Sequence, residues 1–198
     1  PMAAWDLLPM DKYRAHNWHC FGNLKERQPY GLIWTALGCP FHCHFCCINS
    51  MFNHKPGIRF RSPENVVGEI DYLVKNYGIK NFKIADELFA MNERRVSKIC
   101  EMLIERNYGL NIWAYGRVDT VTPRMLKMMK RAGIHWIAYG FESGSKRALE
   151  HVEKGYNLDT VDSVVKETYE NGIHIAANYM FGLPEDDFDT MQETLNMA

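Results

Sequence analysis

The apolar positions of this chain fall into two kinds of run that alternate along it. Short, nearly continuous apolar blocks occupy residues 30–36, 81–85, 110–115, 134–141 and 173–181, the length and continuity expected of strands buried on both faces. Between them, apolar residues recur every three or four positions, the period of a helix that packs on one side. Val66, Val67, Ile70, Leu73, Val74 and Tyr77 make one such face, opened by Ser62 as a cap with Pro63 in the first turn and stopped by Gly78. Val96, Ile99, Cys100, Leu103 and Ile104 make a second, which ends before Gly109. Met125, Leu126 and Met129 make a third, between Thr122-Pro123 and Gly133. Two more helices are predicted over 143–154 and 158–171, divided by Gly155, and a last one from residue 185 with Met191 and Leu195 turned inward.

Strands that alternate with helices in this order predict an α/β fold with a parallel sheet. Gly78, Gly109, Gly133 and Gly172 each stand at a helix-to-strand junction, 31, 24 and 39 residues apart. Those intervals bracket the roughly 31 residues of one βα unit in a barrel. The expected architecture is a partial βα barrel of five parallel strands over residues 30–198. An arm precedes it over residues 1–29, marked by Trp5, Tyr13 and Trp18 but without a sustained period. Five strands are too few to close an eight-stranded barrel, and both ends of the chain read as cut.

Composition narrows the class of protein. With 198 residues, 46% hydrophobic and 24% charged, the chain can bury one good core. A net charge of -1 offers no basic face to nucleic acid, and no apolar run approaches the roughly 20 residues that cross a bilayer. Residues 1–18 lack a signal-peptide core, so a cytoplasmic location is expected. Six cysteines, four of them within nine positions, are not spread like a secreted disulfide framework. A reducing compartment and a metal site fit that clustering better.

Cys39, Cys43 and Cys46 form a Cys-x3-Cys-x2-Cys triplet just after the first predicted strand. Three soft ligands on one loop favour zinc or an iron-sulfur cluster over hard cations. On a four-iron cluster, three cysteines leave one iron open to a small molecule. On zinc, Cys47, His42 or His44 could supply a fourth ligand, and the chain would be a zinc-stabilised binding module without catalysis. A redox iron-sulfur carrier is a third reading. Cys100 on its helical stripe and Cys20 in the arm read as packing residues. The other strand ends are polar as well: Asp86-Glu87, Arg117 with Asp119, Glu142-Ser143-Gly144, then Asn178 with Gly182-Leu183-Pro184-Glu185. One carboxylate in such a place often only caps the next helix. Recurrence after every strand points to a ligand pocket on the rim where βα folds bind their ligands.

The triplet, with Phe45 directly before its last cysteine, resembles the signature of the radical S-adenosylmethionine (radical SAM) superfamily. The likeness runs from about residue 30 to the end of the chain. Ile84-Ala-Asp-Glu-Leu-Phe89, Trp113-Ala-Tyr-Gly-Arg117-Val-Asp119, Gly140-Phe-Glu-Ser-Gly-Ser145 and Phe181-Gly-Leu-Pro-Glu185 are similar to the branch that often carries an N-terminal cobalamin-binding domain. Trp5-Asp-Leu-Leu-Pro9 looks like the linker that follows such a domain, which is not within these residues.

The resemblance implies a partial (βα)6 barrel whose sixth strand is missing here. It implies a 4Fe-4S cluster on Cys39, Cys43 and Cys46, with SAM on the remaining iron through its amino and carboxylate groups. One electron, from a reductant such as flavodoxin or ferredoxin, would cleave SAM to methionine and a 5′-deoxyadenosyl radical. That radical would take hydrogen from an unknown small-molecule or peptide substrate, or the chain would serve cobalamin-assisted methyl transfer with a cobalamin domain outside these residues. Phe45 would lie against the adenine or present its backbone to it, and Asp86 or Glu87 would accept from the SAM amino group, although the Gly-Gly-Glu of many members is not present here. Glu142 would stand near the ribose, and Arg117 would answer the SAM carboxylate or pair with Glu142. Asn178 and Gly182 would border the adenine. His42 and His44 would be exposed or just outside the site, and Cys47 would make no bond to the cluster.

Overall fold

The computed structural model describes residues 2–52 and 55–198, so Pro1, at the start of the predicted arm, lies outside them. In chain order the elements are β1 (Tyr30–Ile33), β2 (Ala36–Leu37), α1 (Ile48–Met51), β3 (Arg59–Phe60), α2 (Pro63–Tyr77) and β4 (Asn81–Ile84). Next come α3 (Glu93–Arg106), β5 (Asn111–Gly116), α4 (Pro123–Arg131) and β6 (Ile134–Glu142). The chain continues through α5 (Lys146–His151), α6 (Asp159–Glu170), β7 (His174–Tyr179) and α7 (Phe188–Met197). Five strands pair in parallel in the order β1-β4-β5-β6-β7, each neighbour pair joined by a helical crossover, as the alternation predicts.

The outer face of the sheet and the inner faces of the helices make the core. Phe82, Ile84, Ile112 and Ile137 from the strands are fully buried beside Val66, Ile70, Leu73, Val96, Ile99 and Cys100 from α2 and α3. Burying a side chain of this size stabilises the fold by roughly 1.5–3 kcal/mol. The helix starts follow their sequence signals. Ser62, Asn92 and Thr122 each accept, through the side-chain oxygen, the backbone N–H three residues on.

Three predicted features differ. The first strand stops at Ile33 rather than at residue 36, because its neighbour strand ends there. The N–H of Ala85 donates to the carbonyl of Ile33, and the next backbone donor, Thr35, turns into the side chain of Asp86. Ala36–Leu37 then pairs antiparallel with Arg59–Phe60, and this small ribbon frames the cysteine loop. Arg95 locks the crossing by donating to the carbonyls of Thr35 and Arg61 while lying over the Phe60 ring. Second, the last helix starts at Phe188, after a turn built on Asp186 and Asp187.

Third, α7 does not turn Met191 and Leu195 inward. Leu195 is 59% exposed and Met191 only half-buried, whereas Thr190 and Thr194 are buried. The capping box between Asp187 and Thr190 sets the phase of this helix, and polar contacts hold it. The Thr194 hydroxyl bonds the Ser143 hydroxyl at 2.9 Å and accepts the N–H of Gly144 at 3.0 Å. A Cβ on Gly144 would stand 2.5 Å from the carbonyl oxygen of Glu193, so only glycine permits this approach.

The arm crosses the amino-terminal ends of the strands. It consists of four short 3-10 turns, and Trp5 donates its indole N–H to the buried carboxylate of Glu69 on α2 at 2.7 Å. His19 Nε2 lies 3.1 Å from the carbonyl oxygen of Asn111, and Asn111 Nδ2 donates back to the carbonyl of His19. Cys20 is buried with its thiol against Asn81. The Trp18 ring meets Trp113 and Trp136 edge-on. Among the described residues no helix is long and apolar enough to cross a membrane.

Candidate active site

At the opposite end, the carboxyl ends of the strands surround a cavity of about 260 Å³. Its walls include Cys39, Cys43 and Cys46 from the loop after β2, and Phe45 between them. Gly38 starts this loop at φ +92°, and a Cβ there would stand 2.4 Å from the carbonyl oxygen of Gly57, so glycine is required where the chain swings toward the rim. All three cysteines are free thiols. Burial is the main force pushing the Cys39 thiol above its usual value, a shift that a bound cation centre reverses by taking the thiolate as ligand. No group of three or more His, Cys, Asp or Glu side chains among the described residues is gathered tightly enough to hold one ion. Cys39, Cys43 and Cys46 nevertheless line the cavity together, and three soft donors on one loop fit an iron-sulfur cluster with one iron left open. Cys47 and His42 are exposed, while His44 reaches Glu153 at 3.2 Å on the outer side.

The two carboxylates after β4 separate into different roles. Asp86 is fully buried and does not line the cavity; its oxygens accept from the backbone N–H and the hydroxyl of Thr35. Burial pushes its carboxyl up, and the Thr35 donors and nearby Arg95 pull it back. Glu87 lines the cavity and accepts the N–H of Gly38 at 3.0 Å through one oxygen. It thus ties the loop after β4 to the cysteine loop.

Of the two roles open to Arg117, the SAM carboxylate or a pair with Glu142, the pair does not form. Arg117 is held bidentate by Asp119, two residues on along the same loop, which is the nearer carboxylate. Glu142 instead accepts from Lys154 at 2.8 Å, a pair almost closed to solvent, with Lys154 above the Phe45 ring. A register shift at the end of β6 places Glu142 at φ +62°, in the left-handed region, which swings its carboxylate over the rim. Such a backbone costs about 1–3 kcal/mol in a residue other than glycine, and strain of this kind concentrates at functional sites.

Asn178, on β7, also lines the cavity and donates to the carbonyl of Tyr139. Gly182 lies outside it, where its N–H donates to Asp186 in the turn before α7. Tyr115, Ala138 and Gly140 complete the floor, the last two giving room beside the Glu142–Lys154 pair. Lys154 is the residue that sequence reasoning missed. It sits between two short helices beside Gly155, with no period or motif to mark it, and only the fold carries it to Glu142.

Comparison with known proteins identifies the family and the fold. The family model described as "Radical SAM superfamily" matches residues 35–198. An uncharacterised methyltransferase of Pyrococcus horikoshii is 31% identical over 198 residues, covering all of this chain and 40% of that protein. The anaerobic magnesium-protoporphyrin IX monomethyl ester cyclase of Rubrivivax gelatinosus is 31% identical over 197 residues, 98% of this chain and 33% of that one. The chain thus spans less than half the length of these relatives. Among solved structures, the radical SAM methyltransferase TsrM from Kitasatospora setae, with cobalamin and a [4Fe-4S] cluster bound, superposes with a TM-score of 0.76 at 20% identity over 87% of this chain and 32% of that one. With a family match over most of its length and the α/β fold of that family around one cysteine-lined cavity, the chain belongs to the radical SAM superfamily of enzymes.

Proposed function

We propose that this chain is a radical SAM catalytic domain in which Cys39, Cys43 and Cys46 hold a 4Fe-4S cluster and the rim cavity takes SAM. The observation that carries this reading is the gathering of three free thiols and of side chains from β5, β6, β7 and the loop after β4 around one cavity. When bound, the cluster supplies the electron that cleaves SAM to methionine and a 5′-deoxyadenosyl radical.

The chain's own part is binding, orientation and exclusion of water. The carboxylate of Glu87 suits the SAM amino group, and one of its oxygens already ties the loop that carries the cysteines. Glu142, oriented by Lys154, suits the ribose hydroxyls, and Phe45 suits the adenine face. Asn178 has an amide oxygen available at the same wall, while Gly182 would act on this site only through the turn it belongs to. Asp86 is better read as the support of the β1 turn than as a ligand. Methyl transfer is the outcome that the methyltransferase name of the Pyrococcus relative supports, and TsrM, solved with cobalamin bound, makes cobalamin on a domain outside these residues its candidate carrier. A low-potential one-electron donor of the flavodoxin or ferredoxin type is the implied partner.

Anaerobic reconstitution of the full-length protein should give about four iron and four sulfide per chain. Dithionite with SAM should then release methionine and 5′-deoxyadenosine. A Cys43→Ala protein that kept both the cluster and the cleavage, or a purified protein holding one zinc and no sulfide, would overturn the reading.

A further inference from the structure

Arg117 is the most fully constrained cation at the rim. Its Nε and Nη2 donate to the two carboxylate oxygens of Asp119, each at 2.8 Å, and Nη2 donates again to the carbonyl of Lys154 at 2.6 Å. The guanidinium carbon lies 3.7 Å from the centre of the Phe41 ring. With those N–H groups engaged, Nη1 is aimed at the sulfur of Cys43, 3.6 Å away. The Arg117 side chain is only 8% exposed, so solvent reaches this contact only from the cavity side, where Cys43 is half-buried.

We infer that Arg117 is a positioning residue that donates an N–H to the cluster-ligating sulfur of Cys43 and thereby raises the reduction potential of the cluster. This rests on the reading above that Cys39, Cys43 and Cys46 hold an iron-sulfur cluster. Reduction moves one electron from the donor protein onto the cluster, so the donor is oxidised and the cluster gains one negative charge, shared with its sulfur ligands. A donor fixed on a ligating sulfur stabilises the more negative state more than the less negative one. No bond of Arg117 forms or breaks, and a guanidinium keeps its proton throughout. Asp119 balances the positive charge of Arg117, so the directed N–H···S contact is what distinguishes this residue from a general electrostatic field. Because Asp119, the Lys154 carbonyl and Phe41 hold the fork in place beforehand, little rearrangement accompanies the change of charge.

The test is a redox titration of the anaerobically reconstituted full-length protein without SAM, followed by electron paramagnetic resonance of the reduced cluster. The double variant Arg117→Met/Asp119→Asn removes one charge of each sign and so leaves the net charge unchanged while deleting the donor. Its midpoint should fall, so that the reduced-to-oxidised ratio at the wild-type midpoint drops by about tenfold, which is about 59 mV for one electron. Arg117→Lys keeps the charge but cannot serve Asp119, the Lys154 carbonyl and Cys43 together, and should shift the midpoint the same way by less. Iron and sulfide near four each in the variants would show that the cluster itself is intact. Wild-type midpoints in both variants overturn the proposal. So do variants that fold but retain no iron, since Arg117 would then serve assembly and not potential. A wild-type protein that takes up no cluster refutes the underlying reading instead, which keeps the two failures apart.

Discussion

At the scale of single residues, adjacent carboxylates divide structure from binding. Asp86 is buried and accepts two hydrogen bonds from Thr35, so Asp86→Asn turns an amide donor against existing donors and should cost about 2–4 kcal/mol in urea unfolding. Glu87→Gln, on the cavity side, keeps the oxygen that Gly38 needs; it should leave that stability within about 0.5 kcal/mol while weakening SAM binding by on order of tenfold, read by calorimetry on the reconstituted protein. Equal effects on stability from the two variants would contradict the division. The Glu142–Lys154 pair makes a parallel case. Lys154→Met strands a buried carboxylate and should cost about 3 kcal/mol, most of which the double variant with Glu142→Gln recovers. Part of this cavity was legible in the chain: Cys39, Cys43 and Cys46 and, after the later strands, Glu87, Arg117, Glu142 and Asn178 line it, whereas Asp86 and Gly182 do not. What was not legible was pairing. Whether Arg117 takes Asp119 or Glu142, and that Lys154 takes Glu142, depends on backbone turns at Glu142 and Gly155 that no periodicity encodes.

Among the elements, the arm and α7 are held by polar contacts and so respond to conditions that the sheet ignores. His19 is fully buried in the arm, and burial chiefly lowers its pKa from 6.5 to about 4. Asn111's carbonyl can only accept, so Nε2 carries the proton of the neutral ring and Nδ1 is left buried and bare. In the unfolded chain the ring protonates near 6.5, while in the fold it resists until about 4. Stability from this group is therefore complete above 6.5 and is lost as pH falls toward 4, by at most roughly 3 kcal/mol. Urea unfolding across that range should show the slope, and His19→Gln, which keeps a donor for Asn111, should flatten it; an unchanged slope would show that other groups set the acid limit. Helix and strand order was readable from periodicity and caps because local signals and burial agree along α2, α3 and α4. They disagree in α7, where Met191 and Leu195 suggested an inward face but the Asp187 capping box and the Ser143–Thr194 bond fix the opposite phase. Apolar periodicity has no means of seeing a helix that docks by its hydroxyls.

Across the whole molecule, the two ends of the sheet carry different burdens. The core lies between the sheet and α2, α3 and α4, the arm seals one end, and the cysteine loop rests on the other. Backbone groups that tie that loop to the rest include Gly38 to Glu87, His44 to the carbonyl of Val152, and the Cys39 carbonyl to Gly57. None of the large buried side chains of the core belongs to residues 38–47. Metal binding and folding are coupled strongly only where the ligands are themselves part of the cooperative core. Here the three cysteines stand outside it, so on the proposed function removing the cluster should loosen the loop and leave the barrel. Hydrogen exchange of the full-length protein, reconstituted and then stripped of iron anaerobically, should show amides of residues 38–47 exchanging at least about tenfold faster in the stripped form, a loss of about 1.4 kcal/mol of local protection. Amides of β4, β5 and β6 should keep their rates. If the strands lose protection together with the loop, the cluster is holding the fold and not merely resting on it, and the separation between a rigid barrel and a cofactor-ordered rim fails.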